Sequence, residues 1–428
     1  MFKIRGDRSK IGQFVCILAL FTTGAYGQSL VGKFVVVGDS LSAGFQNFSL
    51  FDDTGAVLFG PEGPFPYTGG QKSGYAAQIA RKAGADSFSK SLPLIAWPGI
   101  PPAIGSGRTD IGLREPDTQG TQTLNLSVPG YLLADALGRT VDTNNFLPTN
   151  PNPNAIDLMA FQILAYPSIN NFSLSSTCGV VPLSSTKFLL SEAGCAVKQQ
   201  PDTLILWIGN NDALQALTMG IPPTNSLVFG TEYDLLMTTL KASGAKLVIA
   251  NVPDVTHLPF LFQCSNSSYS VPNIANPPTD LTQACTRDGA TSGHFLKVSA
   301  RLVTQAHNAV LAYNSIIAAA ARRFGATLVD VYSLFETIHN DNGYRVGNVF
   351  PLGNGPFGGL FSWDLIHPTN TANAILANAF IAAMNAAVQS QQAQIGPVCV
   401  NQVGAKDMLI PPATSAAFAA LPADACLQ

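Results

Sequence analysis

Ser40 stands in Gly38-Asp39-Ser40-Leu41-Ser42, directly behind the apolar run Phe34–Val37. A β-branched run that breaks at a glycine reads as a strand entering a tight turn, and such a turn lifts a serine hydroxyl out of the carboxyl edge of a sheet. Ser40 is therefore a candidate nucleophile, although the same tripeptide also serves as a strand-to-helix cap, with Asp39 or Ser40 capping the next helix. A serine hydroxyl attacks well only when a base takes its proton and a third group holds that base. Trp363-Asp364-Leu365-Ile366-His367-Pro368 offers such a pair. Asp364, three residues before His367 on one turn, can reach the imidazole Nδ1 proton and leave Nε2 for the serine. The plainer use of this stretch is a helix start capped by Asp364. Of the other histidines, His307 lies in a helical run and reads as a surface or packing residue.

Two further stretches carry donors. Gly209-Asn210-Asn211-Asp212 follows the apolar run Thr203–Ile208, and a side-chain amide at a strand's carboxyl end can donate to a developing oxyanion, a contact worth roughly 3 to 4 kcal/mol. Either asparagine suits by type; a polar turn with Asp212 capping a helix is the alternative. Gly130, in Asn125-Leu126-Ser127-Val128-Pro129-Gly130, offers a backbone N–H as a second donor, or is simply a turn.

Positioning these groups takes a sheet with its loops on one edge. Phe34–Val37, Thr203–Ile208, Lys246–Val252 and Ala326–Val331 are short β-branched runs that read as buried parallel strands. Between them residues 75–83, 232–243, 295–323 and 371–388 have helical patterns. The alternation predicts an α/β sandwich. Residues 46–74, 142–200 and 264–292 interrupt it and are expected to be loop insertions on one rim of the sheet, with residues 389–428 as a tail stapled back by its cysteines.

Only 11% of the 428 residues are charged, against 46% apolar, with 38 Gly and 29 Pro. That rules out disorder as the main state and predicts a surface of Ser, Thr, Asn and Gln, of an extracellular type. Twenty-three basic residues face 26 acidic ones without a basic run beyond the first ten positions, so the footprint of a nucleic-acid binder is missing. Lys3, Arg5, Arg8 and Lys10 precede an apolar stretch over 11–22 that ends near Ala25-Tyr26-Gly27. These are the three parts of a secretory signal, expected to be cut after Gly27 and to leave 28–428 as one domain, secreted or periplasmic. An uncleaved anchor is the alternative, though the stretch falls short of the roughly 20 residues a spanning helix needs. Cys16 leaves with the signal, and the remaining six cysteines fall in local pairs, Cys178 with Cys195, Cys264 with Cys285 and Cys399 with Cys426. Local pairing is the simplest connectivity for three disulfides, each contributing roughly 2 to 4 kcal/mol.

In their order along the chain, Gly38-Asp39-Ser40-Leu41-Ser42, Gly130, Gly209-x-Asn211-Asp212 and Asp364-x-x-His367-Pro368 resemble the conserved blocks of the SGNH or GDSL family of serine hydrolases. The resemblance runs from about Phe34 to Ala387, and the stretches Ser73–Gly84 and Asn251-Val252-Pro253-Asp254 are also similar to secreted bacterial members. It implies a three-layer α/β/α sandwich, flavodoxin-like, with about five parallel strands and the ligand site at their carboxyl edge. It implies Ser40 as nucleophile, His367 as general base and acid, Asp364 orienting His367, and an oxyanion hole of the Ser40 and Gly130 N–H groups with the Asn211 side chain, the motif's register favouring Asn211 over Asn210. The implied activity is ester hydrolysis through an acyl-enzyme, with no metal or cofactor, on a small-molecule or lipid ester and with transient contact to a lipid surface. The long Gly/Pro/Phe segment after Ser40 departs from the family's usual run into a helix. Its Phe45, Phe48, Phe51, Phe59, Phe65 and Tyr67 suit an acyl-chain pocket, or pack as a loop core. A polysaccharide O-deacetylase is the enzymatic alternative, and a non-catalytic secreted binding protein the alternative from another class.

Overall fold

The computed structural model describes residues 30–428 except 53, 61–62, 97, 102–111, 120, 141–154, 165–180, 184–185, 189–190, 279, 348–349, 356–357 and 389–393. The expected signal over 1–27 and Cys178 lie outside the described residues.

Four parallel strands form the centre: β1 (Phe34–Gly38), β2 (Thr203–Trp207), β3 (Lys246–Ala250) and β4 (Thr327–Val329), in that spatial order. All five residues of β1 and of β2 are buried, so the continuous apolar runs follow from coverage on both faces. The sheet has four strands rather than the expected five or so. Residues 124–128 run parallel along the outer edge of β1 with three backbone hydrogen bonds (Val36 N to Leu124 O, Leu126 N to Val36 O, Val128 N to Gly38 O), but form only a single bridge. Pro129 and Gly130 end the pairing at once, the first lacking an N–H and the second turning left-handed at φ 83°.

The helices that matter to the site are α1 (Ser40–Ala43), α2 (Tyr75–Lys82), α3 (Glu192–Gln199), α4 (Asn210–Thr218), α5 (Ser226–Lys241), α6 (Ala300–Phe324), α7 (Val331–Asn340) and α8 (Asn370–Ala386). One group packs through α2 and α8, where the Tyr75 ring stacks on Phe380 at 4.6 Å and meets Trp207 of β2 edge-on at 5.4 Å. Another packs through α5 and α6, where Phe229 stacks on Tyr313 at 3.8 Å. One core cluster runs from Val31 to Phe418.

The helical reading of 295–323 needs correction at its start. Phe295–Ser299 is a strand, paired antiparallel with Ser268–Pro272, which in turn pairs with Phe262–Ser265. Ser299 then caps α6 by accepting from Leu302 N. The expected insertions at 46–74 and 142–200 contain antiparallel hairpins, Thr54–Gly60 with Gly63–Thr68 and Val181–Leu183 with Thr186–Phe188. Cys264–Cys285 and Cys399–Cys426 form disulfides, and Cys195 is buried. Among the described residues no helix is long and apolar enough to cross a membrane.

Candidate active site

Ser40 is the first residue of α1, at the carboxyl end of β1. Gly38 is required there because a Cβ would lie 2.5 Å from the Trp207 carbonyl oxygen and 2.7 Å from Ser42 Oγ. Asp39 is the N-cap and accepts from Leu41 N at 3.1 Å, and the helix ends after four residues at Gly44, φ 79°. The cap reading of this motif is thus realised by Asp39, which leaves the Ser40 hydroxyl free of that task.

The described structure joins Ser40, His367 and Asp364 in one line. His367 Nε2 lies 2.8 Å from Ser40 Oγ, and His367 Nδ1 lies 2.8 Å from Asp364 Oδ2. The Asp364 carboxylate also accepts from the backbone N–H groups of Ile366, His367 and Phe48, at 3.0, 2.8 and 3.1 Å. Burial opposes its charge, yet the adjacent His367 and these backbone donors hold its carboxyl below the usual carboxylate range. The turn that presents this pair is held from the far end of the chain. Gln46 Nε2 donates to the Pro368 carbonyl and to Asn370 Oδ1, each at 2.9 Å, Asn47 N donates to Ser362 Oγ at 3.2 Å, and Trp363 N donates to Asn47 Oδ1 at 3.1 Å. Asn47, Phe48 and Leu365 sit in the left-handed region at φ 54°, 61° and 61°, a conformation costly for bulky side chains and maintained by these bonds.

An acid three residues before a histidine also occurs at Asp254–His257 and Glu336–His339. Spacing alone therefore does not single out His367. The structure does, since His257 bonds Glu336 through Nδ1 and His307 bonds Asp254, while only His367 reaches Ser40.

The two candidate amides point apart. Asn210 Nδ2 donates to Asp39 Oδ2 at 2.8 Å, whereas Asn211 Nδ2 donates to the Tyr131 carbonyl at 2.9 Å, beside Gly130. That leaves Asn211 a second amide hydrogen. Among the described residues the backbone N–H groups of Ser40 and Gly130 donate to no protein acceptor. Asp212 accepts from Leu133 N at 2.9 Å and from Thr224 Oγ1 at 2.7 Å, so it ties the loop after Gly130 to α4. Burial pushes the Asp39 carboxyl up to about 6 against the opposing bond from Asn210, and burial lifts Asp212 to about 6 as well.

One residue here has no counterpart in the sequence motifs. Glu192, fully buried at the first turn of α3, accepts from Val128 N at 2.8 Å and Gly38 N at 3.2 Å. It clamps the strand end before Ser40 to the segment before Gly130. Burial drives its carboxyl well above the ordinary range, and the Asp39 charge adds to that, despite the two backbone donors. In sequence it looks like an ordinary solvated acid at a helix start, and no local signal marks it, since the same helix carries the exposed Lys198.

Of the aromatic residues after the nucleophile, Phe48 and Phe51 are buried in the interior, and the Phe45 ring lies tilted against His367 at 4.8 Å. The side chains of Phe59, Phe65 and Tyr67 lie outside the described residues.

No curated protein matches the chain. Among solved structures it is similar to LAE5, described as an alpha/beta hydrolase enzyme from the metagenome of Lake Arreo, Spain, with 15% identity and a TM-score of 0.37, covering 85% of this chain and 98% of that one. It is also similar to Axe2, an acetylxylan esterase from Geobacillus stearothermophilus, with 12% identity, a TM-score of 0.36 and coverage of 84% and 96%. TesA is a third, with 13% identity, a TM-score of 0.33 and coverage of 83% and 99%. The profile of the GDSL-like Lipase/Acylhydrolase family matches residues 34–380, from the strand before Ser40 through Asp364 and His367 into α8. The chain belongs to this family and is a carboxylic ester hydrolase.

Proposed function

We propose that the protein is a secreted serine esterase acting through Ser40, His367 and Asp364. His367 Nε2 takes the Ser40 proton as Oγ attacks the ester carbonyl carbon, forming the tetrahedral intermediate. The Ser40 and Gly130 N–H groups and the second Asn211 amide hydrogen receive the developing oxyanion. His367 then returns the proton to the departing alcohol, and a water activated by the same nitrogen releases the acid. Asp364 keeps Nδ1 protonated and balances the imidazolium. The observation that carries the reading is the unbroken pair of 2.8 Å contacts from Ser40 Oγ through His367 to a buried carboxylate.

Phe45 against the His367 ring gives the site an apolar wall and favours esters with an apolar acyl chain. Secretion is supported by the leader pattern of the first 27 residues and by two disulfides, which persist in oxidising compartments.

The test is hydrolysis of para-nitrophenyl esters from acetate to palmitate by the purified protein beside Ser40→Ala and His367→Ala. Both variants are expected to lose kcat by about 10⁴-fold or more. A chain-length optimum beyond acetate supports the apolar acyl site, and strict preference for acetate replaces it with deacetylation. Equal rates in wild type and Ser40→Ala, with no labelling of Ser40 by a fluorophosphonate, would overturn the nucleophile assignment.

A further inference from the structure

Away from Ser40, three of the five histidines gather with two acids where the sheet's carboxyl edge meets α6 and α7. Asp254 follows β3, His257 closes the short turn Val255–His257, His307 lies on α6, and Glu336 and His339 lie on α7. Asp254, His257 and Glu336 each offer a ligand atom, all within 4.8 Å of one another. We propose that this cluster binds a zinc-class divalent cation between Asp254 and His257, with Glu336 and His307 orienting these two ligands and water filling the remaining positions.

The hydrogen bonds already present argue for it. His257 Nδ1 lies 2.6 Å from Glu336 Oε1, so Nδ1 carries a proton and the neutral ring has its lone pair on Nε2. Nε2 in turn stands 4.0 Å from Asp254 Oδ2. That gap is too long for a hydrogen bond, and it sets the ring nitrogen beside a carboxylate oxygen. Zinc–nitrogen and zinc–oxygen bonds of about 2.0 to 2.2 Å place two ligands of one ion roughly 3.4 Å apart, so closure by about half an ångström seats the ion. A histidine that ligates through one nitrogen and donates from the other to a carboxylate is the usual arrangement around such ions.

The same Asp254 oxygen lies 2.5 Å from His307 Nδ1, a hydrogen bond that holds the carboxylate in place. The Asp254 side chain is fully buried and oriented by Thr256 N and Oγ1 through its other oxygen. His257 and Glu336 are each 26% exposed and His307 39%, giving a rigid floor and a solvent-facing entry. His339 stacks on His257 at 3.9 Å with planes 6° apart, so the ring cannot swing away. Mixed imidazole and carboxylate donors select zinc-like ions over calcium or magnesium, which require shells of oxygen. The ion would tie the turn after β3 to α6 and α7, and it takes no part in the chemistry at Ser40.

Titration of the chelator-stripped protein with ZnCl₂ and, separately, CaCl₂ tests this by calorimetry and thermal melting. One equivalent of zinc should bind and raise the melting temperature, with calcium at least a hundredfold weaker. His257→Ala and the isosteric Glu336→Gln should each weaken zinc at least tenfold, while His294→Ala, a histidine elsewhere, should leave it unchanged. Absence of saturable binding, binding unaltered in both His257→Ala and Glu336→Gln, or binding lost in His294→Ala would overturn the site. Equal affinity for calcium would overturn the ion class.

Discussion

Asn210 and Asn211 are adjacent, chemically identical and turned to different tasks. One Asn211 amide hydrogen holds the Tyr131 carbonyl and the proposed mechanism uses the other, so Asn211→Ala should cut kcat roughly 10²- to 10³-fold with a small change in melting temperature. Asn210 serves the buried Asp39 carboxyl, and Asn210→Ala should instead cost about 1 to 3 kcal/mol of stability by stranding that acid. Steady-state kinetics beside urea unfolding separates the two; a kcat loss confined to Asn210→Ala would exchange the assignments. Asp39 itself supplies a pH prediction. Its folded pKa of about 6 exceeds the ordinary value of 3.8, so between those values the folded chain holds a proton that the unfolded chain has released. Wild type therefore loses stability as pH rises through that window, by up to about 3 kcal/mol. Asp39→Asn does not titrate, and Asn210 can rotate its otherwise unpartnered Oδ1 to accept from the new amide. The variant should gain on wild type between pH 4 and 7 in denaturant melts, and a gap that stays flat with pH would refute the assignment.

At the scale of elements, the site depends on two clamps that join distant parts of the chain. The segment Gln46–Phe48 holds the Asp364–His367 turn through backbone and amide bonds. Glu192 is the second clamp, holding Gly38 and Val128 together from α3. Glu192→Gln replaces one acceptor oxygen with a donor that faces a backbone N–H, so one bond is lost and Gly130 shifts relative to Ser40. We expect a stability loss of about 1 to 3 kcal/mol and at least a tenfold fall in kcat with little change in KM, since the lost register is felt most where the oxyanion forms. Unchanged kcat in a destabilised Glu192→Gln protein would make the clamp purely structural.

For the whole molecule, the carboxyl-terminal segment is part of the body rather than a loose appendage. Asp407 accepts from Thr371 N at 2.7 Å and Thr371 Oγ1 at 2.6 Å at the start of α8. Asn378 and Asn385 of α8 bond Val398 and Ile395 on both their donor and acceptor sides, and Ile395, Val398, Val400, Ile410 and Phe418 join the core. The Cys399–Cys426 disulfide spans 27 residues of this segment. Replacing both cysteines by serine should cost roughly 3 to 4 kcal/mol through the freed unfolded chain, measured as a lower urea midpoint. Because α8 follows directly on His367, the loss of the segment's packing should also raise the proteolytic sensitivity of the His367 turn.

The sequence by itself determined the strands of the central sheet and which residues are candidates for the reaction. Phe34–Val37 and Thr203–Ile208 are legible as strands because a strand covered on both faces is written as a nearly continuous apolar run, and Ser40, Gly130, Asn211, Asp364 and His367 are candidates from local motifs whose chemistry is carried by residue type. Other features were not legible, because they depend on contacts between residues far apart in the chain. Three acid–histidine pairs share one spacing, and only the packing of the 362–368 turn against Gln46–Phe48 brings one of them to Ser40. The Asn210 and Asn211 amides are divided by the position of Asp39 and Tyr131, and Glu192 becomes a buried clamp only because α3 lies against β1 and the segment before Gly130. Local sequence sets what a residue can do; the fold sets which partner, at what distance and in what dielectric, decides whether it does it.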